Sequence, residues 1–236
     1  MSYIRIFLIA IDALIFSSLT IICLPVNFKG KATHFITKIF SKIILLIAGA
    51  KLEVTGKDNL DKSEKYIFIS NHLSYLDIPV LMQVVPNNVR FIYKKVISWV
   101  PIFGWAMYLN NYIPINRTNA REALQSLKKA ASRMKKGYSI AIFPEGTRSV
   151  DGKTGEFKKG IFVLAIEAQE KIVPVTKIGT NNILPKKSLK FKAGRVKVII
   201  DKPLEFRNDK NFLSDIREKI IENKLNNESE LTTKFT

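Results

Sequence analysis

Histidine and cysteine are nearly absent from this chain of 236 residues, and acidic residues are heavily outnumbered. The single cysteine, Cys23, excludes an intramolecular disulfide and a zinc site built on cysteines. With only two histidines, His34 and His72, a multi-histidine centre is excluded as well, and no metal is expected. Any catalytic imidazole has to be one of that pair. Against 38 Lys and Arg stand 20 Asp and Glu, a net charge of +18, and most of the excess lies beyond residue 65. Such a surplus suits nucleic acid, an anionic membrane surface or an acidic ligand, and composition does not choose among them. Apolar residues at 47% with 25% charged describe a globular chain, not a disordered one.

Charge is also scarce locally. Residues 6–26 are apolar apart from Asp12 and a few hydroxyls, with Arg5 before them and Pro25 near the end. About 20 such residues suffice to cross a bilayer, although a carboxylate inside a span is costly. From His34 to Ala50 the apolar residues Phe35, Ile36, Ile39, Phe40, Ile43, Ile44, Leu46 and Ile47 recur at helical spacing, with Lys38 and Lys42 on the polar face. That is the pattern of an interfacial amphipathic helix. No small-residue cleavage site follows the apolar run, and Ile22 in front of Cys23 argues against a lipoprotein signal. The two segments predict a membrane-associated helical hairpin over residues 1–50, with an anionic membrane surface as partner. A soluble hairpin packed on the domain is the alternative.

Beyond the hairpin the periodicities alternate. Strands are predicted at Lys51–Thr55, Lys65–Ser70, Arg90–Tyr93, Tyr112–Ile115, Ser139–Phe143 and Ile172–Ile178, with two more between Ser188 and Pro203 around Ala193–Gly194. Helices are predicted from Ser74 to Val85 with Ser74 as N-cap, from Arg121 to Lys136 closed by Gly137, from Gly160 to Gln169 and from Asp209 to Lys224. Trp99–Leu109 reads as an apolar helix or loop, in which Trp99, Phe103, Trp105 and Tyr108 suit either an acyl groove, a membrane interface or the core. The alternation predicts an α/β fold: one domain over residues 51–225, a largely parallel central sheet flanked by helices, then a frayed polar tail at 226–236. In such sheets sites gather at the carboxyl ends of strands.

Two of those ends carry chemistry. After the strand ending at Ser70 comes Asn71-His72-Leu73-Ser74-Tyr75-Leu76-Asp77. If the helix starts at Ser74, its first turn brings Asp77 back towards a loop-borne His72, the arrangement of a general base with its orienting carboxylate. Ser74-x-x-Asp77 reads equally as a capping-box variant with His72 as a plain loop residue. The strand ending at Phe143 runs into Pro144-Glu145-Gly146-Thr147-Arg148-Ser149, a tight turn with a guanidinium suited to phosphate. By itself it is also an ordinary turn.

Asn-His-x4-Asp followed about 70 residues later by Phe-Pro-Glu-Gly-Thr-Arg-Ser resembles the glycerolipid acyltransferases, and among them the bacterial 1-acyl-sn-glycerol-3-phosphate acyltransferases. Tyr112-Ile113-Pro114-Ile115-Asn116-Arg117 and Ile172-Val173-Pro174-Val175 resemble the family's other two blocks. Asn111 stands where that family commonly has glycine, and Pro114 where a bulkier residue is frequent. The resemblance implies acyl transfer from a thioester, acyl-CoA or acyl carrier protein, to lysophosphatidic acid on the cytoplasmic face of the inner membrane, with no further cofactor. A different lysolipid acceptor would keep every catalytic residue. It implies His72 as base and Asp77 as its orienter. Glu145, Gly146, Thr147 and Arg148 would line the acceptor site with Arg148 on the phosphate, and Arg117 and Lys95 would add charge. The alternating basic residues Lys190, Lys192, Arg195 and Lys197 would suit a nucleic-acid-binding hairpin. No recognised motif accompanies them, and nucleic acid is not expected as a partner.

Overall fold

The computed structural model describes residues 1–233. Two helices come first, α1 (Ser2–Ile22) and α2 (Lys31–Ala48), and then the strands and helices alternate. They are β1 (Ala50–Thr55), β2 (Ile67–Ser70), α3 (Asp77–Val84), β3 (Val89–Lys94), α4 (Phe103–Leu109), β4 (Ile113–Ile115), α5 (Ala120–Lys135) and β5 (Ser139–Ile142). There follow α6 (Gly160–Ala168), β6 (Ile172–Ile178), a single turn α7 (Thr180–Ile183), β7 (Gly194–Ile200) and α8 (Phe212–Thr233). The sheet has seven strands in the order β1-β7-β6-β2-β5-β3-β4, antiparallel only between β6 and β7. The fold is therefore the α/β domain with a largely parallel sheet that the alternation predicted.

Continuous apolar runs form the central strands because both sheet faces are covered. Along β2, Phe68 joins a core with α2 and α3, while Ile67 and Ile69 on the opposite face pack with α5, α6 and α8. Helix α5 starts where the Asn119 side chain accepts the Glu122 N–H at 3.0 Å, and ends where Gly137 takes a φ of 93°.

Three expectations change. The two strands predicted between Ser188 and Pro203 are one, β7. It is hydrogen-bonded to β1 on one side and β6 on the other, so no free edge remains for a hairpin partner. The basic hairpin face does not form. Helix α3 begins at Asp77, not at Ser74, for a reason given by the Asp77 carboxylate below. Helix α8 continues well past Lys224 into the stretch read as a frayed tail, whose last three residues lie outside the described part.

The first helix is amphipathic in reverse. In α1 the buried residues are Asp12, Ser17 and Thr20, whereas Phe7, Leu8, Ile11, Leu14, Ile15 and Leu19 are exposed. The helix turns its polar groups to the protein and its apolar side outward, and it is long and apolar enough to cross a membrane. It lies antiparallel to α2, with Phe16 and Phe40 in contact at 6.1 Å, and also touches α4. On and beside α4, Trp99, Trp105 and Tyr108 are exposed. Phe103 instead lines a cavity of about 150 Å³ between α1, α2 and the sheet.

Candidate active site

Strands β2, β5 and β6 are adjacent and parallel, so their carboxyl ends meet at one edge. The loop after β2 brings His72, and Asp77 opens α3. The His72 Nδ1 and Asp77 Oδ2 are 2.7 Å apart, with Asp77 fully buried and His72 12% exposed. The same Oδ2 accepts the backbone N–H groups of Leu73 at 2.6 Å and Ser74 at 2.9 Å. The carboxylate thus does both jobs the spacing allowed: it holds the imidazole, and it ties back the turn before the helix. Those bonds delay the helix to Asp77. Ser74 is not the N-cap; its hydroxyl donates to the Leu184 carbonyl.

With Nδ1–H committed to Asp77, the tautomer assigned by this network leaves the Nε2 lone pair free. The imidazole stacks on Phe143 at 4.1 Å, 11° from parallel. Burial lowers the His72 pKa below the ordinary imidazole value, more than Asp77 raises it, so the ring is a neutral base at neutral pH. Burial would push the Asp77 carboxyl up. Lys177, His72 and the Ser74 N–H outweigh it and hold the carboxyl well below the usual range. The second histidine has no comparable setting, because both ring nitrogens of His34 are buried without a hydrogen-bond partner.

The turn after β5 is bolted to this loop. Glu145 accepts the His72 N–H at 2.7 Å through one oxygen and the Gly155 N–H at 2.9 Å through the other. Its carboxylate is a brace between the two sequence blocks. The Ser149 N–H donates to the His72 carbonyl at 2.8 Å. Gly146 has a φ of 70°, and a Cβ there would come within 2.9 Å of the Lys158 side chain. Arg117 donates to the Gly146 carbonyl, and Lys186 to the Arg148 carbonyl and to the Thr147 hydroxyl. Arg148 lies with its Cζ 3.5 Å from the Tyr75 ring centroid, and its Nη1 is buried without a protein partner. Such a donor is set for an anion. Lys95, by contrast, follows β3, two strands from β2, where its ammonium pairs with Glu122 at 2.8 Å. The structure gathers His72, Asp77, Arg117, Glu145, Gly146, Thr147 and Arg148, and leaves Lys95 apart from them.

Next to the dyad an apolar groove of about 410 Å³ opens between α5, α6 and the ends of β3 to β5. It shares Phe143 with the site and carries Arg117 and Lys158 on its lining. The family model described as Acyltransferase matches residues 51–177. The chain belongs to the acyltransferase family. It is 37% identical over 83% of its length to the chloroplastic 1-acyl-sn-glycerol-3-phosphate acyltransferase of Arabidopsis thaliana, 55% of which it covers. To the enzyme of the same name from Borreliella burgdorferi it is 33% identical, over 76% of this chain and 74% of that one. It thus spans little more than half the length of some curated relatives. The crystal structure of PlsC, the 1-acyl-sn-glycerophosphate acyltransferase of Thermotoga maritima, shares the fold with a TM-score of 0.81 at 23% identity. That match covers 98% of this chain and 95% of the other.

Asn111, the departure from the family's usual glycine, has a φ of 69°. Asparagine is among the few side chains that accept the left-handed region, so the backbone geometry survives the change. Two residues at the dyad escaped the sequence reading. Thr180 of α7 donates to Asp77 Oδ1 at 2.7 Å, and the fully buried Lys177 of β6 places its Nζ 3.4 Å from the same oxygen. The second had a signal: a lysine inside a largely apolar strand needs a buried partner.

Proposed function

We propose that this chain transfers a fatty acyl group from an acyl thioester to the sn-2 hydroxyl of lysophosphatidic acid, giving phosphatidic acid. One observation carries the reading: a desolvated His72–Asp77 pair with a free Nε2, next to the partnerless guanidinium nitrogen of Arg148, in an acyltransferase chain. The acceptor class follows from what the relatives are named for. As the hydroxyl oxygen attacks the thioester carbonyl carbon, its proton passes to His72 Nε2, and Asp77 stabilises the imidazolium. Collapse of the tetrahedral intermediate breaks the C–S bond. The departing thiolate takes the proton from Nε2, restoring the base. The donor is acyl-CoA or an acylated carrier protein, and the groove beside Phe143 suits an acyl chain.

Detergent-solubilised protein, offered a panel of lysolipids with each donor and read by lipid mass spectrometry, tests the assignment. Lysophosphatidate left unreacted while another lysolipid is acylated would move the acceptor. A lysophosphatidate headgroup carries about −1.5 to −2 charges, like any phosphate monoester. Arg148→Ala is therefore expected to raise the acceptor KM, with kcat/KM down by about ten- to a hundredfold, the value of a charged hydrogen bond. Arg148→Lys keeps the charge but not the planar fork, and should recover little. A defect confined to the donor KM would transfer Arg148 to the coenzyme or carrier site.

The outward apolar face of α1 and the amphipathic α2 support a membrane seat for residues 1–50, with the catalytic domain on the cytoplasmic side where the thioester donors are. Buried apolar area holds such a seat more than charge does, so the protein should stay with membranes through a high-salt wash. Deleting residues 1–48 should release it and abolish turnover of bilayer-embedded acceptor. Unchanged location and activity in that truncation would refute the seat.

A further inference from the structure

Lys177 is a lysine near the carboxyl end of β6, with no exposed side-chain surface, among neighbours that are all buried. Its backbone is clamped by the residue before the dyad histidine. Asn71 donates to the Lys177 carbonyl at 2.8 Å and accepts the Lys177 N–H at 2.9 Å. The ammonium is thereby held behind Asp77, 3.4 Å from Oδ1 and 4.3 Å from the centroid of Phe143, the ring on which His72 stacks. The ion pair is not aligned as a hydrogen bond, and Nζ has no other acceptor. Asp77 does not need it as a donor: Oδ2 already takes the Leu73 and Ser74 N–H groups and His72, and Oδ1 takes Thr180. What Lys177 adds is charge. A buried ion pair gives little stability compared with an apolar side chain of the same shape, so packing alone does not account for it.

We propose that Lys177 is a positioning residue for the acyl transfer: from behind Asp77 it balances the carboxylate charge and keeps the imidazole of His72 an unprotonated base. A fully buried carboxylate facing only an imidazole and neutral donors would favour imidazolium, which accepts no proton. The groups facing this assembly are Asp77 of α3, His72 of the loop after β2, and Glu145 and Arg148 of the turn after β5. Burial brings Lys177 down to about 8 against the pull of Asp77 and Glu145, which leaves it charged at neutral pH. The inference rests on His72 as the general base, and its test separates the two claims.

Full-length protein in detergent, with His34→Asn so that His72 is the sole histidine, is titrated by its rate of modification with diethyl pyrocarbonate. The acidic limb of kcat/KM against pH is measured on the same preparations. Lys177→Met and Lys177→Gln should raise both apparent pKa values by about one unit, the smaller end of the effect of a neighbouring charge. A uniform fall in kcat with neither value moved, in folded variants, would overturn the proposal by reducing Lys177 to packing. Should both variants fail to fold, Lys177→Arg, which keeps the charge, and Lys177→Ala, which removes it together with the side chain, decide. Values moved up in Lys177→Ala but unmoved in Lys177→Arg support the charge balance, and the same values in both overturn it. If the chemical titration moved while the activity limb stayed, the lysine would set the charge of an imidazole that is not the base, and the general-base reading would be what fails.

Discussion

His72→Ala is expected to lower kcat/KM for acyl transfer by about 10²–10⁴-fold, the range for loss of a positioned general base, with membrane attachment and thermal unfolding nearly unchanged. The magnitude rests on the lack of a substitute. His34 sits on α2 with both nitrogens buried and unpaired, and the two carboxylates at the site, Asp77 and Glu145, have their oxygens taken by donors of the fold. The pH profile sharpens the expectation. Because burial lowers the His72 pKa, the wild-type rate should climb as pH rises through a value beneath the ordinary imidazole range and stay flat through neutrality. In His72→Ala that limb should vanish together with the rate. Turnover near the wild-type level would eliminate the mechanism, whatever the family.

The dyad was legible in the sequence because both members lie within one loop-and-turn of six residues, where local geometry decides what can meet. Helix α5 was legible for the same reason, with its apolar period and terminal glycine written locally, although its Asn119 cap was not read. What the sequence hid came from strand order. Lys177 and Thr180 reach Asp77 only because β6 lies beside β2, a neighbour relation that no local pattern encodes. The misread hairpin over Ser188–Pro203, of which only β7 forms, has the same origin. Alternating residues look alike whether a strand has a free edge or, like β7, has both edges filled. Lys95 follows β3, and its ammonium turns to Glu122 of α5, a pairing that its place after a strand did not reveal. Arg117 was implied by the resemblance as added charge at the site, and its reach from the sheet's far edge back to the Gly146 carbonyl was not visible in its own neighbourhood.

Asp77→Asn should be at least as damaging, and in two separable ways. If the amide carbonyl stays at the Oδ2 position, His72, Leu73 and Ser74 keep an acceptor, but the –NH2 then points at Thr180 and at the Lys177 ammonium. If it flips, the –NH2 meets three donors instead. Either way a fully buried lysine loses its counter-charge, and breaking such a pair costs about 3–5 kcal/mol. Catalysis suffers independently, because the imidazolium formed in the reaction loses its anion. The corresponding change in a Ser-His-Asp triad lowers kcat by about 10⁴-fold. The wild-type carboxyl is depressed, so its stabilising share is complete above the unfolded carboxylate value and disappears only as pH falls through the lower folded one. At neutral pH the whole deficit should therefore be visible in the single variant. Adding Lys177→Met removes the stranded charge, and the double variant should regain much of the lost unfolding stability while turnover stays low. Urea or thermal unfolding in detergent and acyl-transfer rates, measured on both variants, decide it. If activity returned along with stability, Asp77 would be a structural counter-ion and not the orienter of His72.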